Sequence, residues 1–324
     1  MKLTSLRWSL FFLGLLFSKA WTSSEWSYTN KQTNETNWPN NFPSCNGLYQ
    51  SPIDIDNSYA QYSSMLLPVR LFPKNEATWS QQLYKVINNG HSAKITFPSD
   101  LWFLSLTNDL TPQYEVVQIH FHWGFKNARG SEHLLQGKSF AMEAHLVCYN
   151  KRYKSFSDAV GSPHGLAVLG FWVDISSASN AGMTFLEQLG DFSKVLPDIV
   201  NYNKSVEINA FDLAELLTVI DPKNYFRYEG SLTTPPCTPN VIWTVFRDSA
   251  LITEEQLALF RALRYSSQET ATQMGDNFRT VLQLNPTKAP IPRVVYKTWS
   301  GSGTHSVSIL LLLLSSGIGT YTQF

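Results

Sequence analysis

The chain has no excess of either charge sign: Lys and Arg total 25, Asp and Glu total 25, and the formal net charge is zero. With no basic or acidic balance it carries no electrostatic footprint for nucleic acid or for an anionic lipid surface. Cysteine is scarce. Cys45, Cys148 and Cys237 make an odd number, whose natural reading is one disulfide and one thiol left over. There is no His-Glu-x-x-His, which argues against the common zinc proteases. Gly-x-Ser-x-Gly and a phosphate-binding Gly loop are also missing, so other hydrolase readings lack support. Neither an internal repeat nor a long low-complexity segment interrupts the chain, and no linker breaks residues 26–290.

What is present is enough for a large core. The chain has 324 residues, with 43% hydrophobic and 14% aromatic, which allows one large domain or two small ones. Strand-like runs predominate: Tyr84–Ile87, Ala93–Phe97, Val116–Trp123, Ala141–Tyr149, Leu166–Val173 and Val241–Phe246, each bounded by Gly, Pro, Asn or Ser. The unbroken apolar run Leu166–Val173 fits a central strand. Helical stretches are fewer: 155–160, 184–196, 212–217 and 253–262, the last opening on Thr253 with Gln256 three later, a capping box. We read a single α+β domain built on a large sheet.

Both ends resemble processing signals. Lys2 and Arg7 precede the run from Trp8 to Phe17 and then Ser18-Lys19-Ala20, the order of a secretory signal, expected over residues 1–20. That ten-residue run is short for a membrane span, which needs ~20. At the other end, Ser300-Gly-Ser-Gly303 leads to an apolar run from Val307 to Gly319 with no basic residue after it. Small residues, a polar spacer and an apolar tail form a glycolipid-anchor signal, with Ser300 the expected attachment point. The expected division is a domain over 24–284, a stalk over 285–302 and a discarded tail over 303–324. Cysteine use agrees with secretion. Cys45 and Cys237 both sit in Pro-rich loops and form the better pair, while Cys148 lies on an apolar strand and suits burial. Asn34-Glu-Thr36 and Asn203-Lys-Ser205 are glycosylation acceptors that only a secreted chain would use.

The most informative residues are histidines. In Gln118-Ile-His-Phe-His-Trp-Gly124, His120 and His122 alternate with Ile119, Phe121 and Trp123. Residues two apart on a strand share a face, so two imidazoles enter one space while large apolar groups point the other way. Glu143-Ala-His145, on a second strand-like run, can bring a third imidazole to the same point. Three histidines with no fourth protein ligand describe a catalytic zinc site with one open position. Glu143 shares a face with His145, and Gln118 with His120, so each can orient its imidazole.

These motifs occur in order with Ser51-Pro-Ile-Asp-Ile55, Asn88-Asn-Gly-His91, Gly130-Ser-Glu-His133, Glu143-Ala-His-Leu-Val147, Gly165-Leu-Ala-Val-Leu-Gly170, Gly230-Ser-Leu-Thr-Thr-Pro-Pro236 and Asn277-Phe-Arg279. Together they resemble an α-class carbonic anhydrase over roughly residues 24–284. The signal, the single Cys45/Cys237 pair and the apolar tail resemble the extracellular, lipid-anchored members. The resemblance implies a large, mostly antiparallel, twisted central sheet with helices on its surface. It also implies reversible hydration of CO2 to bicarbonate, with Zn²⁺ as cofactor and zinc hydroxide as the attacking group.

Carried over residue by residue, His120, His122 and His145 match the zinc ligands. Thr233 matches the residue that accepts the hydroxide proton, and Glu132 the carboxylate that accepts from Thr233. Thr234 matches a substrate contact, and Val147, Val168, Leu232 and Trp243 match the apolar wall where CO2 rests. His91 follows a turn sequence and matches the proton shuttle, with Asn89 ordering water beside it and Tyr28 in the same pocket. Lys94 departs from the polar amide of many relatives, and a cation there should favour neutral His91. Partners implied are CO2 and bicarbonate, sulfonamide-type inhibitors, a membrane through the lipid anchor, and bicarbonate transporters. The alternative function is a catalytically weak surface-binding module of the same family. Silent members usually lack a zinc histidine, and this chain keeps all three. The resemblance further implies cis peptides at Ser51–Pro52 and Pro235–Pro236, and a buried hydrogen-bonded set of His133, Glu143 and Tyr228.

Overall fold

The computed structural model describes residues 26–107, 113–176, 184–266 and 272–300. The expected secretory signal at 1–20 and the apolar tail at 303–324 lie outside these residues. Among the described residues no helix is long and apolar enough to cross a membrane.

A large twisted sheet organises the chain. Its main path runs Ser205–Asn209, Leu83–Asn88, Ala93–Thr96, Tyr114–Trp123, Met142–Asn150, Leu166–Ile175, Val241–Phe246, Tyr225–Gly230, Tyr296–Lys297 and Gln61–Tyr62. Most neighbours pair antiparallel, but Leu166–Ile175 pairs parallel with Val241–Phe246. Met142–Asn150 and Leu166–Ile175 are buried along nearly their whole length, as strands covered on both sides are. Along Met142–Asn150 the alternation is clean. Ala144, Leu146 and Cys148 join the larger hydrophobic cluster, whereas Val147 and Tyr149 join a second cluster across the sheet. His145 shares the second face, so the site is built where apolar packing is already dense.

The helical elements are short. Glu254–Arg261 starts at a complete capping box between Thr253 and Gln256. The helix expected over 184–196 is instead broken into a 3-10 turn at Phe185–Leu189, an α-turn at Phe192–Val195 and a 3-10 turn at Leu196–Ile199. Gly190 causes the break. Its φ of 58° ends the first turn, and a side chain there would press on Phe211.

The segment expected as a stalk from residue 285 is part of this fold as far as Trp299. Tyr296–Lys297 extends the sheet against Phe226 and Arg227. The Arg293 guanidinium donates to the carbonyls of Gln50, Glu229, Gln283 and Leu284. Trp299 packs edge-on to Phe226 with ring centroids 4.9 Å apart. Gln50, Phe226, Arg227 and Glu229 are distant in sequence, so the segment carries no local sign of its docking. Ser300 is exposed immediately beyond it.

Candidate metal centre and active site

Sheet register assembles the histidines. His120 lies directly opposite His145, and His122 opposite Glu143. A bulge between Val116 and Gln118 resets the pairing just before the His-x-His pair. One ligand nitrogen from each of His120, His122 and His145 can be chosen so that all lie within 4.8 Å of one another.

The other ring nitrogens decide which ones those are. His120 Nδ1 donates to Gln118 Oε1 at 3.1 Å, and His122 Nδ1 to the Asn277 carbonyl at 2.8 Å. His145 Nε2 donates to Glu143 Oε1 at 2.7 Å. His120 Nε2, His122 Nε2 and His145 Nδ1 therefore keep their lone pairs for the centre. Burial pulls the His120 and His122 pKa values down from the usual range, which favours neutral, ligating rings.

Glu143 is the anchor. It accepts from both the His145 and the His133 rings, and its second oxygen accepts from the His133 N–H. Burial alone would raise its pKa, but His133 and His145 hold the carboxyl well below the usual range. His133 Nε2 in turn accepts from the Tyr228 hydroxyl at 2.6 Å, and Tyr228 meets Ser51 Oγ at 2.8 Å. Gly230 is required beside this chain, because a Cβ there would lie 2.2 Å from Ser51 Oγ.

Two buried atoms at the centre have no hydrogen-bond partner, His122 Nε2 and Glu132 Oε2. They face each other at 3.4 Å, and His145 Nδ1 is 3.8 Å from the same oxygen. A lone pair facing a carboxylate in a dry site calls for positive charge. Because burial disfavours protonating His122, a divalent cation on the imidazoles answers it. The donor set fits zinc.

Glu132 Oε1 accepts from the Arg279 N–H, while Oε2 turns toward the imidazoles. The hydrogen bond from Thr233 implied by the resemblance is thus not formed here, although Thr233 is buried. Thr234 holds its loop by accepting from the Cys237 N–H at 2.9 Å. Val147, Val168 and Trp243 pack in one cluster, with Leu232 against it. Register explains this: Val147 lies opposite Val168, and Val168 opposite Trp243. The Trp243 ring is edge-on to His145, 4.8 Å between centroids.

The comparisons agree with this geometry. Residues 33–289 match the model of the eukaryotic-type carbonic anhydrase family. This chain belongs to the carbonic anhydrase family. It is 34% identical over 305 residues to human carbonic anhydrase 12, covering 91% of this chain and 80% of that protein. It is 36% identical over 257 residues to mouse carbonic anhydrase 7, covering 78% of this chain and 92% of that one. Family membership makes the protein a zinc lyase acting on CO2 and bicarbonate and open to sulfonamide inhibition. Ser51–Pro52 and Pro235–Pro236 are cis. Cys45 and Cys237 are joined, and Cys148 is a buried thiol.

The pocket around His91 adds what sequence reasoning missed. Asn89 Oδ1 accepts from the N–H groups of His91 and Ser92, so the carboxamide shapes the turn. Trp26 stacks on the His91 ring at 3.8 Å and 11°. Burial pulls His91 from 6.5 to about 4. The direction matches the expectation from Lys94, but the cause is burial. Lys94 lies opposite His120 in the sheet and acts on that ring instead. Tyr28 packs edge-on to Trp26 and Trp38, and burial, then Glu132, push its phenol well above the usual range. Asn277 was legible only as part of a motif. In the fold it is a hub: its carbonyl orients His122 and its side chain bonds Trp123, His91 and Phe121. No local pattern marks a residue more than 150 positions from its partners.

Proposed function

We propose that the protein hydrates CO2 reversibly at the outer cell surface, with His91 passing the proton to solvent buffer. The observation that carries the reading is the convergence of three imidazole nitrogens whose opposite nitrogens are each tied to a fixed acceptor. Bound zinc is a Lewis acid that makes water acidic enough to ionise near neutral pH, a general property of carbonic anhydrase zinc and not a magnitude drawn from this chain. His120, His122 and His145 hold the ion. Gln118, Asn277 and Glu143 keep their rings in the ligating tautomers.

The orienting role falls to Thr233 and Glu132, through a hydrogen bond that this structure does not make, since Glu132 Oε2 has no partner. A carboxylate only accepts, so a Thr233 hydroxyl reaching Glu132 donates to it and turns an acceptor lone pair toward the site. Val147, Val168, Leu232 and Trp243 offer an apolar wall to uncharged CO2, and Thr234 offers a polar contact to bicarbonate. His91 takes the proton released by each turnover, and Asn89 sets the turn that carries it.

The location rests on separate support. The secretory-type start, the Cys45–Cys237 disulfide and the acceptors at Asn34 and Asn203 suit the oxidising secretory pathway. Asn203 is exposed on a left-handed turn. The exposed Ser300, followed by a short apolar tail, suits attachment of a glycolipid anchor, and bicarbonate transporters are fitting neighbours there.

Replacing His120 by Ala should remove most of the zinc and nearly all CO2 hydration. Thr233→Ala should keep zinc yet lose about 10²-fold in rate, since it removes orientation only. Zinc analysis with stopped-flow hydration checks both. Full activity in metal-free His120→Ala, or equal metal loss in the two variants, would defeat the assignment.

A further inference from the structure

The sheet face that carries the zinc ligands continues outward from them. Lys94 lies opposite His120, and Thr96 opposite Gln118. On the next strand, Ile87 lies opposite Lys94 and Lys85 opposite Thr96. Residues directly opposite in antiparallel strands share a face, so Lys94 and Lys85 stand on the side of His120 and Gln118. On the other side Val86, Ile95 and Ile119 are buried in the larger core. Lys94 is half-buried and Lys85 exposed, so the two mark a path from the zinc site to water.

Among the described residues, no ion pair or side-chain hydrogen bond engages the ammonium group of Lys94. Lys85 lies opposite Glu207 at the sheet edge, and the two form no ion pair. A charge withdrawn from water ordinarily takes a partner. Here burial, then Lys85, pulls the Lys94 pKa down, so the group gives up hydration and meets a like charge. The field of Lys94 reaches His120 and disfavours a second positive charge there. The same field favours an anion in that space. The nearby carboxylates do not cancel it: Glu132 and Glu143 are buried and face imidazoles instead.

We propose that Lys94, with Lys85 beyond it, makes the approach to the zinc an anion-selecting subsite. It strengthens the hold on bicarbonate and on any zinc ligand that bears a second negative group. The inference rests on zinc being held by His120, His122 and His145, and it adds a determinant of what that site prefers. Clefts lined by charge of one sign raise the local concentration of the opposite sign. Bicarbonate is product in one direction and substrate in the other, so a tighter complex changes its occupancy and leaves the overall equilibrium alone. An uncharged amide at position 94 would offer hydrogen bonds without this field.

Calorimetric titration of the zinc enzyme with two sulfonamides separates charge from shape: 4-sulfamoylbenzoate and its uncharged amide, 4-sulfamoylbenzamide. Both present the same group to the metal, and the para substituent stands across the ring from it. The ratio of their affinities reads the field at the mouth of the site. At low ionic strength, Lys94→Gln should cut the preference for the carboxylate about fivefold, and Lys85→Gln by less. Lys94→Arg keeps the charge and should keep the preference, which a purely structural role for lysine would not. Raising salt to about 0.5 M should erase most of the parent's preference, a readout that needs no variant. The amide reports the metal site by itself: if it fails to bind, the zinc assignment falls and this proposal with it. If the amide binds and the preference is the same in the parent and Lys94→Gln, or is indifferent to salt, the anion subsite alone is overturned.

Discussion

His91 shows how one residue's position sets its chemistry. An ordinary histidine titrates near 6.5, ideal for moving protons at physiological pH. Stacked on Trp26 and withdrawn from water, this one is pulled down to about 4. In that position it stays neutral at pH 7 and takes a proton weakly. A ring turned off Trp26 into solvent would regain an ordinary affinity. Trp26→Ala should therefore raise the His91 pKa toward 6.5, read from its imidazole resonances by NMR; an unchanged value would show that Trp26 is not the cause. The stability sign follows from linkage. The folded pKa is lower than the unfolded one, so the unfolded chain binds the extra proton between about 6.5 and about 4. The stabilising contribution is complete above about 6.5 and is lost as pH falls through that window. His91→Gln should flatten this part of the stability–pH curve measured by urea unfolding.

At the scale of elements, the site is a product of register. The Tyr114–Trp123 strand supplies His120 and His122, and the Met142–Asn150 strand supplies His145 with its anchor Glu143. The loop at Asn277 then locks the first strand from outside. Removing its side chain strips hydrogen bonds from the Trp123 N–H and the Phe121 carbonyl, both buried. Asn277→Ala should destabilise the fold by about 2–3 kcal/mol. It should also weaken zinc about tenfold, because the His122 ring leans on the same loop. Denaturant melts and competition with a chelator measure the two effects; parent-like values in both would remove the hub role. These paired strands were legible from alternation alone, because one polar imidazole face against one apolar face leaves a single workable register. The broken segment at 184–199 was not, since the apolar spacing of a helix persists across Gly190 and only its left-handed backbone ends the turn.

On the scale of the whole molecule, the Cys45–Cys237 bridge spans a sequence separation of 192 and ties the N-terminal segment to the loop carrying Thr233 and Thr234. Loop-closure entropy puts its worth at about 5 kcal/mol. A Cys45→Ser, Cys237→Ser double variant should unfold at markedly lower denaturant, and an unchanged midpoint would refute this. If the lipid anchor is present, phosphatidylinositol-specific phospholipase should release active enzyme from intact cells. Activity that stays on the membrane, with a mature peptide containing Phe324, would contradict the anchor. The sequence by itself determined the chemistry of this protein: three histidines at strand spacing, their orienting Gln118 and Glu143, and the apolar strands that bury them. Those features are local, because side-chain alternation along a strand is a property of the backbone. Tertiary structure alone decided the rest. It placed the Asn277 carbonyl on His122, Trp26 on His91, and the segment 285–299 on the sheet instead of leaving it a stalk. Each of these joins residues far apart in the chain, and contacts of that kind exist only once long-range packing has closed around them.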